Sequence, residues 1–297
     1  MGIYLKYSML CSVVEKAYAK VNFGLKVLPK REDGFHNIES IFQTINLYDE
    51  LNITVCNKGG CYVQCDSMNL PENNTLVLAF NAFIEITKVK SFGVNVELKK
   101  RIPSGGGLGG GSADAAALVR GLEKLSNISL TREQKNFIAS KTGSDVFFFI
   151  HCKDGKGCAL VSGRGEKLSF IKPRKDLFLL LMFPEVHSST AEAYALVDEF
   201  YASGNGIGGP AFKEFEKTYR LPVKEWFFEN SFTPCIAKKY KIVFNAMQYL
   251  ENLGCAYVQM SGSGSTVYGV FELEQQAMCV QNNLPAEACN CKLVQTV

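Results

Sequence analysis

No stretch of this 297-residue chain approaches the ~18 uninterrupted apolar residues that a membrane-spanning helix needs, so no bilayer span is expected. The first twenty residues carry Lys6, Glu15 and Lys16 and no apolar core of signal length, so export is not expected either. Charge of one sign is scarce. Lys and Arg number 32 against 29 Asp and Glu, and a net +3 is too weak for a general nucleic-acid or membrane-surface binder. There are only three histidines, and the close pairs Cys61/Cys65 and Cys289/Cys291 do not form a paired zinc-ligand framework. The eleven cysteines therefore read as free thiols of a reducing cytoplasm, with a metal or redox site as the lesser alternative. What remains is a soluble globular composition, 47% apolar and 21% charged, with room for one large domain or two ordinary ones.

Residues 17–28 alternate partly and are rich in β-formers, which predicts a strand. The polar segment 29–34 reads as a turn, followed by strands at 38–45, 50–56 and 60–65. Asn57 to Gly60 would be the hairpin turn between the last two. Asn74 is placed to cap a helix with apolar residues at helical spacing, and 94–98 alternates as a strand. Residues 112–126 predict a further helix, with Ala115, Leu118, Leu122 and Leu125 on one face. Ser112 is its expected N-cap, and Asp114 would sit in the first turn, where a negative charge suits the helix dipole. Another helix begins at Thr131, and Asp145 precedes an apolar run, VFFFI, that reads as a strand. A change of texture after Glu166 places a domain boundary near residue 168. Beyond it come a strand at 177–183, a loop at 203–210, and a strand–glycine turn–strand unit over 257–271.

The glycines are ordinary in number and unusual in position, six of them falling between 105 and 111. The run from Pro103 through Gly105, Gly106, Gly107, Leu108, Gly109, Gly110 and Gly111 to Ser112 separates a predicted strand from a helix. A backbone without Cβ atoms can approach a ligand closely and aim successive N–H groups at it, and the helix N-terminus adds partial positive charge. This predicts an anion site, most readily for a nucleotide's phosphates. A P-loop is excluded because no Lys follows the glycines at the required place. The pattern Gly105-x-Gly107-x-x-Gly110 fits a dinucleotide fingerprint. The acidic residue about twenty positions on, Glu133, lies inside a predicted helix instead of ending a strand.

The run Gly107-Leu108-Gly109-Gly110-Gly111-Ser112-x-Asp114-Ala115-Ala116 resembles the phosphate loop of the GHMP kinase superfamily. Ala19-Lys20-Val21-Asn22, Asp33-Gly34-Phe35-His36, Gly143-Ser144-Asp145-Val146 and Ser261-Gly262-Ser263-Gly264-Ser265 agree in the expected order, covering about residues 17 to 272. The resemblance implies a two-domain α+β fold, with an N-terminal domain like ribosomal protein S5 domain 2 and a ferredoxin-like C-terminal domain. It implies a cytoplasmic kinase using ATP and Mg²⁺, monomeric or homodimeric, with a small-molecule acceptor. Within the superfamily the match is to the branch that phosphorylates the 2-hydroxyl of cytidyl-diphospho-methylerythritol on the non-mevalonate route to isoprenoid precursors.

Phosphoryl transfer to an alcohol needs a positioned hydroxyl, a proton acceptor and cations for the nucleotide's charge. Lys20 is the cation of an otherwise apolar strand and needs a partner, for which a carboxylate such as Asp145 is the natural choice. Taken alone, a structural salt bridge or a snorkelling lysine is the readier explanation of these two residues, but the resemblance implies that Lys20 and Asp145 are the catalytic pair. Asn22 shares the strand face of Lys20 and would meet the diol end of the acceptor. His36, following a turn, reads by itself as a surface histidine. The resemblance implies that Phe35 and His36 recognise cytosine, by stacking and by reading a polar edge, with Phe35 standing where tyrosine is more usual. It further implies a second stacking aromatic at Tyr194, in the segment from Val186 through His187, a cytosine contact at the Gly163-Arg164-Gly165-Glu166 turn, and an adenine neighbour at Asn74. Core packing explains Tyr194, and a helix cap Asn74, almost as well. Ser112 is the candidate Mg²⁺ ligand.

Departures from the family pattern are Phe147 in place of the usual proline, and Asn230-Ser231 in place of Asn-Asp, which leaves that segment without an assigned role. Nineteen residues precede Lys20, and Met9 reads as an alternative start. A homoserine or mevalonate kinase would share the glycine loop but have no need of the Phe35-His36 pair. A catalytically silent sugar- or nucleotide-sensing relative could dispense with Lys20 or Asp145.

Overall fold

The structure, a computed structural model, describes residues 11–89, 92–186, 189–284 and 290–297. Met9, His187 and Cys289 lie outside them. The chain forms two compact units. Among the described residues, the first takes 11–19, Leu47–Ile102 and Gly109–Lys156, and the second takes Lys20–Asn46, Pro103–Leu108 and Gly157–Val297. Two long strands, β1 (Ser12–Lys30) and β2 (His36–Cys56), contribute residues to both. The two strands expected at 38–45 and 50–56 are thus one. Between them Asn46, Tyr48 and Glu50 alternate with buried Leu47, Asp49 and Leu51, which marks a strand and not a turn.

In the first unit the end of β2 pairs antiparallel with β4 (Gly93–Lys99), placing Leu51 opposite Leu98 and Ile53 opposite Val96. These four are buried, while Asn52 and Glu97 alternate outward and hydrogen-bond each other at 3.1 Å. β3 (Gly60–Cys65) exists as expected, but the hairpin does not. β3 pairs in parallel with the far side of β4. The cause is Gly93. A Cβ there would lie 1.9 Å from the carbonyl oxygen of Lys58, so the missing side chain lets the 57–59 backbone cross the start of β4.

Among the described residues, four helices complete this unit. Asn74 caps α1 (Thr75–Thr87), its Oδ1 accepting from the N–H groups of Leu76 and Val77. α2 (Gly110–Ser126) buries the alanine-rich face that the sequence pattern marks, with Leu118, Leu122 and Leu125 inside. α3 (Arg132–Thr142) starts with a reciprocal capping box between Thr131 and Gln134. The run after Asp145 is a short helix, α4 (Val146–His151), and not a strand. A six-residue apolar run carries no periodicity that separates the two, and Val146, Phe148, Phe149 and Ile150 are all buried in the helical form.

In the second unit Ser40–Gln43 of β2 pairs with β5 (Cys158–Ser162), which turns through 163–166 into β6 (Lys167–Phe170). The rest of the unit is built on β7 (Phe178–Met182), β8 (Tyr257–Met260), β9 (Val267–Phe271) and β10 (Cys291–Gln295). They form an antiparallel sheet in the order β10-β7-β9-β8. Helices α5 (Thr190–Ala202), α6 (Phe215–Arg220), α7 (Thr233–Lys239) and α8 (Lys241–Asn252) lie between β7 and β8, and α9 (Glu274–Asn282) lies between β9 and β10. That succession and strand order are ferredoxin-like. Phe23 of β1 packs edge-on against Trp226 and Tyr268, which fixes the stretch of β1 that carries Lys20 and Asn22.

Candidate active site

Three motifs that are distant in sequence meet in the second unit. Lys20 is buried, and a buried ammonium must find acceptors. Its Nζ donates to Asn22 Oδ1 at 2.7 Å and to the carbonyl of Gly107 at 3.1 Å, and lies 4.6 Å from the centre of the Phe42 ring. Asn22 in turn donates from Nδ2 to Ser40 Oγ at 3.1 Å. The Ser261 hydroxyl donates to the same Gly107 carbonyl at 3.1 Å. Gly107 has φ +77°, and a Cβ there would lie 2.0 Å from the main-chain oxygen of Ser261. At Gly106 a Cβ would lie 2.6 Å from Thr266 Oγ1. The glycines at 106 and 107 are thus required by close contact with the second glycine turn.

Sequence reasoning missed Asn230. Its Nδ2 donates to the carbonyls of Met260 and Gly262, at 2.8 and 2.9 Å, and holds that turn from behind. Its neighbour Ser231 accepts from the N–H of Val27 at 2.9 Å. The segment left without a role therefore braces both the turn and β1. The asparagine shared with the family pattern at this position is the available signal, although the acid that follows it there is absent.

The first unit holds the other half of the glycine run. Gly109, in the left-handed region, is the N-cap of α2, and no side chain caps the helix. The expected cap, Ser112, is instead the third residue of the helix. Without a competing side-chain acceptor, the first-turn N–H groups of α2 suit a phosphate. Gly111 offers its carbonyl to Thr75 Oγ1 at 2.9 Å, which ties α2 to the helix that Asn74 caps.

Asp114 is not in the first turn, because α2 begins earlier than expected. It is buried, and its Oδ2 accepts from Lys100 Nζ at 2.9 Å. Lys100 also donates to Asp49, whose other oxygen accepts from the N–H groups of Arg101 and Ile102. Burial, reinforced by Asp49, pushes the Asp114 carboxyl up to about 8 against the opposing pull of Lys100. For Lys100, burial works against the charge, but the Asp114 and Asp49 carboxylates outweigh it and raise its pKa. Asp114 Oδ1 has no hydrogen-bond partner among the described residues. Asp145 is half-buried at the N-cap position of α4, with no side-chain cap bond.

The residues expected to read the base lie together in the second unit. Phe35 is exposed, and the Arg164 guanidinium covers its ring at 3.5 Å. The Arg164 N–H donates to Glu166 at 2.6 Å, which closes the turn. His36 is buried and is not the surface histidine that its sequence context suggests. Its Nδ1 faces the carbonyl of Leu28 at 2.8 Å, its Nε2 faces Asp198 at 3.2 Å, and the Tyr194 ring stacks on it at 5.1 Å. None of the ten described cysteines is in a disulfide, and among the described residues no group of three His, Cys, Asp or Glu stands ready to hold a metal.

These elements match known proteins. The family model described as GHMP kinases N terminal domain matches residues 74–153, and GHMP kinases C terminal matches 211–290. The 4-diphosphocytidyl-2-C-methyl-D-erythritol kinase of Treponema pallidum is 37% identical over 287 residues, covering 94% of this chain and 97% of its own. That of Thermotoga maritima is 38% identical over 260 residues, covering 87% of this chain and 92% of its own. A crystal structure of 4-(cytidine 5'-diphospho)-2C-methyl-D-erythritol kinase superposes with a TM-score of 0.74 at 27% identity, covering 96% of this chain and 98% of the other. The fold and its glycine turns define a GHMP kinase of two α+β domains. The chain belongs, within that superfamily, to the family of 4-diphosphocytidyl-2-C-methyl-D-erythritol kinases.

Proposed function

We propose that this chain transfers the γ-phosphoryl group of ATP to the 2-hydroxyl of 4-diphosphocytidyl-2-C-methyl-D-erythritol in the non-mevalonate route to isoprenoid precursors. The observation that carries the reading is the convergence of Lys20 and Ser261, from two motifs, on the Gly107 carbonyl of a third. Near-complete alignment with kinases named for this acceptor supports it.

In this reading the 105–112 run holds the ATP phosphates, and Asn74 lies near the adenine. Asp145 accepts the proton of the attacking hydroxyl, while Lys20 favours the ionised forms of both. Lys20 belongs to the second unit and Asp145 to the first, and their pairing is part of the proposal. Asn22 orients the acceptor's diol, and Phe35, His36, Arg164 and Tyr194 take its cytosine. Mg²⁺, when bound, neutralises phosphate charge. Few carboxylates are needed for an ion held chiefly by phosphate oxygens and water, which accords with the donor set, and Ser112 supplies a hydroxyl at the third position of α2. We place the domain boundary near residue 168, between the two matched family segments. A cytoplasmic location accords with ten described cysteines outside any disulfide. The test is ADP release with a panel of alcohols, in which this acceptor should be turned over and homoserine and mevalonate should not.

A further inference from the structure

The first unit holds a cleft of about 730 Å³ that takes no part in the proposed reaction. It lies among the start of β1, the second half of α2, α3 and the residues that follow α4. The first-turn N–H groups of α2 are at the other end of that helix. Arg120, ten residues after Gly110, stands about 15 Å further along the axis, and the cleft continues to Asn127. Five cationic side chains and three carboxylates line it, an excess of two in a chain whose whole excess is +3.

Two of the carboxylates hold cations in place. Glu15 is buried, its side chain 7% exposed, and takes Arg120 Nε at 3.3 Å on one oxygen and Lys124 on the other. Glu123 takes Lys135 at 3.2 Å. The third, Asp154, is exposed at the tip of a turn over 153–156. Asp154 and Gly155 have φ of +51° and +76°, and the Lys156 N–H donates to the Lys153 carbonyl at 2.9 Å, as in a type I′ turn. A Cβ on Gly155 would lie 3.0 Å from Arg120 Nη2, so this turn packs directly on the guanidinium. Nη2 also donates to the Lys16 carbonyl at 2.8 Å, and nothing among the described residues accepts from Nη1. Lys16 Nζ rests 4.4 Å over the Tyr48 ring and Lys153 is exposed, so both ammonium groups are open to a ligand. His151, half-buried on the cleft wall, senses the field. Burial first, then the charges of Arg132 and Lys135, hold its imidazole below the usual histidine value.

We propose that this cleft is a second ligand site, binding a small anion with two or more linked phosphate groups on Arg120, Lys16 and Lys153. Glu15 holds the guanidinium from below, so its free edge is a fixed planar donor for one phosphate, and the lysines are point charges for the next. The volume admits a molecule up to the size of a nucleotide. A charge excess gathered in one concave place, on a chain of weak overall charge, suits a compact polyanion and not a nucleic-acid strand. The site does not depend on which alcohol the chain phosphorylates.

The test follows the side-chain Nε–H signal of Arg120, assigned through the backbone, while the full chain is titrated with inorganic triphosphate. That signal reports the cleft and not the glycine run, where triphosphate is also expected to bind. It should shift and saturate. The midpoint should rise about tenfold in a Lys16→Gln, Lys153→Gln double variant, and about threefold in Lys153→Gln alone, which alters only an exposed turn position if the double variant does not fold. ADP in place of triphosphate separates the sources of the anion: a lower midpoint for ADP means that a phosphate ester is read, a lower midpoint for triphosphate that phosphates alone are. Sulfate at equal ionic strength should give no saturating shift. An Arg120 signal that triphosphate leaves unmoved, a response that sulfate reproduces, or a midpoint unchanged in Lys153→Gln would overturn the proposal.

Discussion

The Lys20 ammonium donates to the main-chain carbonyl of Gly107 at 3.1 Å, so a side chain from β1 grips the middle of the glycine run. The same carbonyl accepts from Ser261, so the loop conformation depends on a cation as well as on the absence of Cβ atoms. Lys20→Met keeps the length and apolar stem of the side chain and removes both the charge and the donors. It is expected to lower kcat by about two orders of magnitude, the scale of a lost acid–base partner, and also to raise the KM of ATP as the loop loosens. Steady-state kinetics with ATP varied at saturating acceptor would separate the two effects.

Gly107→Ala meets two penalties together. The backbone is in the left-handed region, which costs a non-glycine residue about 1–3 kcal/mol, and the new Cβ collides with Ser261. The expected result is a lower melting temperature and weaker ATP binding. Gly204→Ala is the control. It has a similar φ of +77° and no atom within 4 Å of the added Cβ, so it should lose stability while leaving ATP binding unchanged. Thermal unfolding and calorimetric titration with ATP would check both.

Asp114 gives a pH prediction whose sign is fixed by its raised folded-state pKa, about 8 against a reference of 3.8. Between those values the folded protein holds a proton that the unfolded chain has released, so this group's contribution to stability falls as pH rises from about 4 to about 8. Asp114→Asn removes the dependence at nearly constant shape. The variant should gain in stability relative to the parent as pH is raised from 5 to about 8. Denaturant unfolding at several pH values would measure it, and a parent–variant difference independent of pH would contradict the assignment.

Much of this was legible in the sequence where local chemistry decides the outcome. Asn74 and Thr131 cap the helices expected of them because capping needs only a side-chain oxygen and nearby N–H groups. The apolar face of α2 follows from spacing alone. Long-range geometry was not legible. The parallel pairing of β3 depends on a backbone crossing at Gly93, and the burial of His36 depends on Tyr194 and Asp198, over 150 residues away. Lys20 could be read as needing an acceptor, but that Gly107 and Asn22 supply two could not. Asp114 was misplaced because the glycine run itself begins the helix, which Gly109 caps with its backbone conformation.

Asp145→Asn preserves the size of the side chain and removes its basicity. Turnover should fall by at least about two orders of magnitude, while the affinity for ATP measured by calorimetry stays within about twofold. A variant retaining most of its turnover would remove Asp145 as the proton acceptor.

The most direct test of the central claim is the rate of ADP release by the purified chain with ATP, Mg²⁺ and each of three alcohols in turn. Turnover of 4-diphosphocytidyl-2-C-methyl-D-erythritol, with none of homoserine or mevalonate, is the result expected of the Lys20–Gly107–Ser261 arrangement together with the Phe35–His36 pair in a protein of this family. Turnover of homoserine or mevalonate, with none of the cytidyl compound, would contradict it.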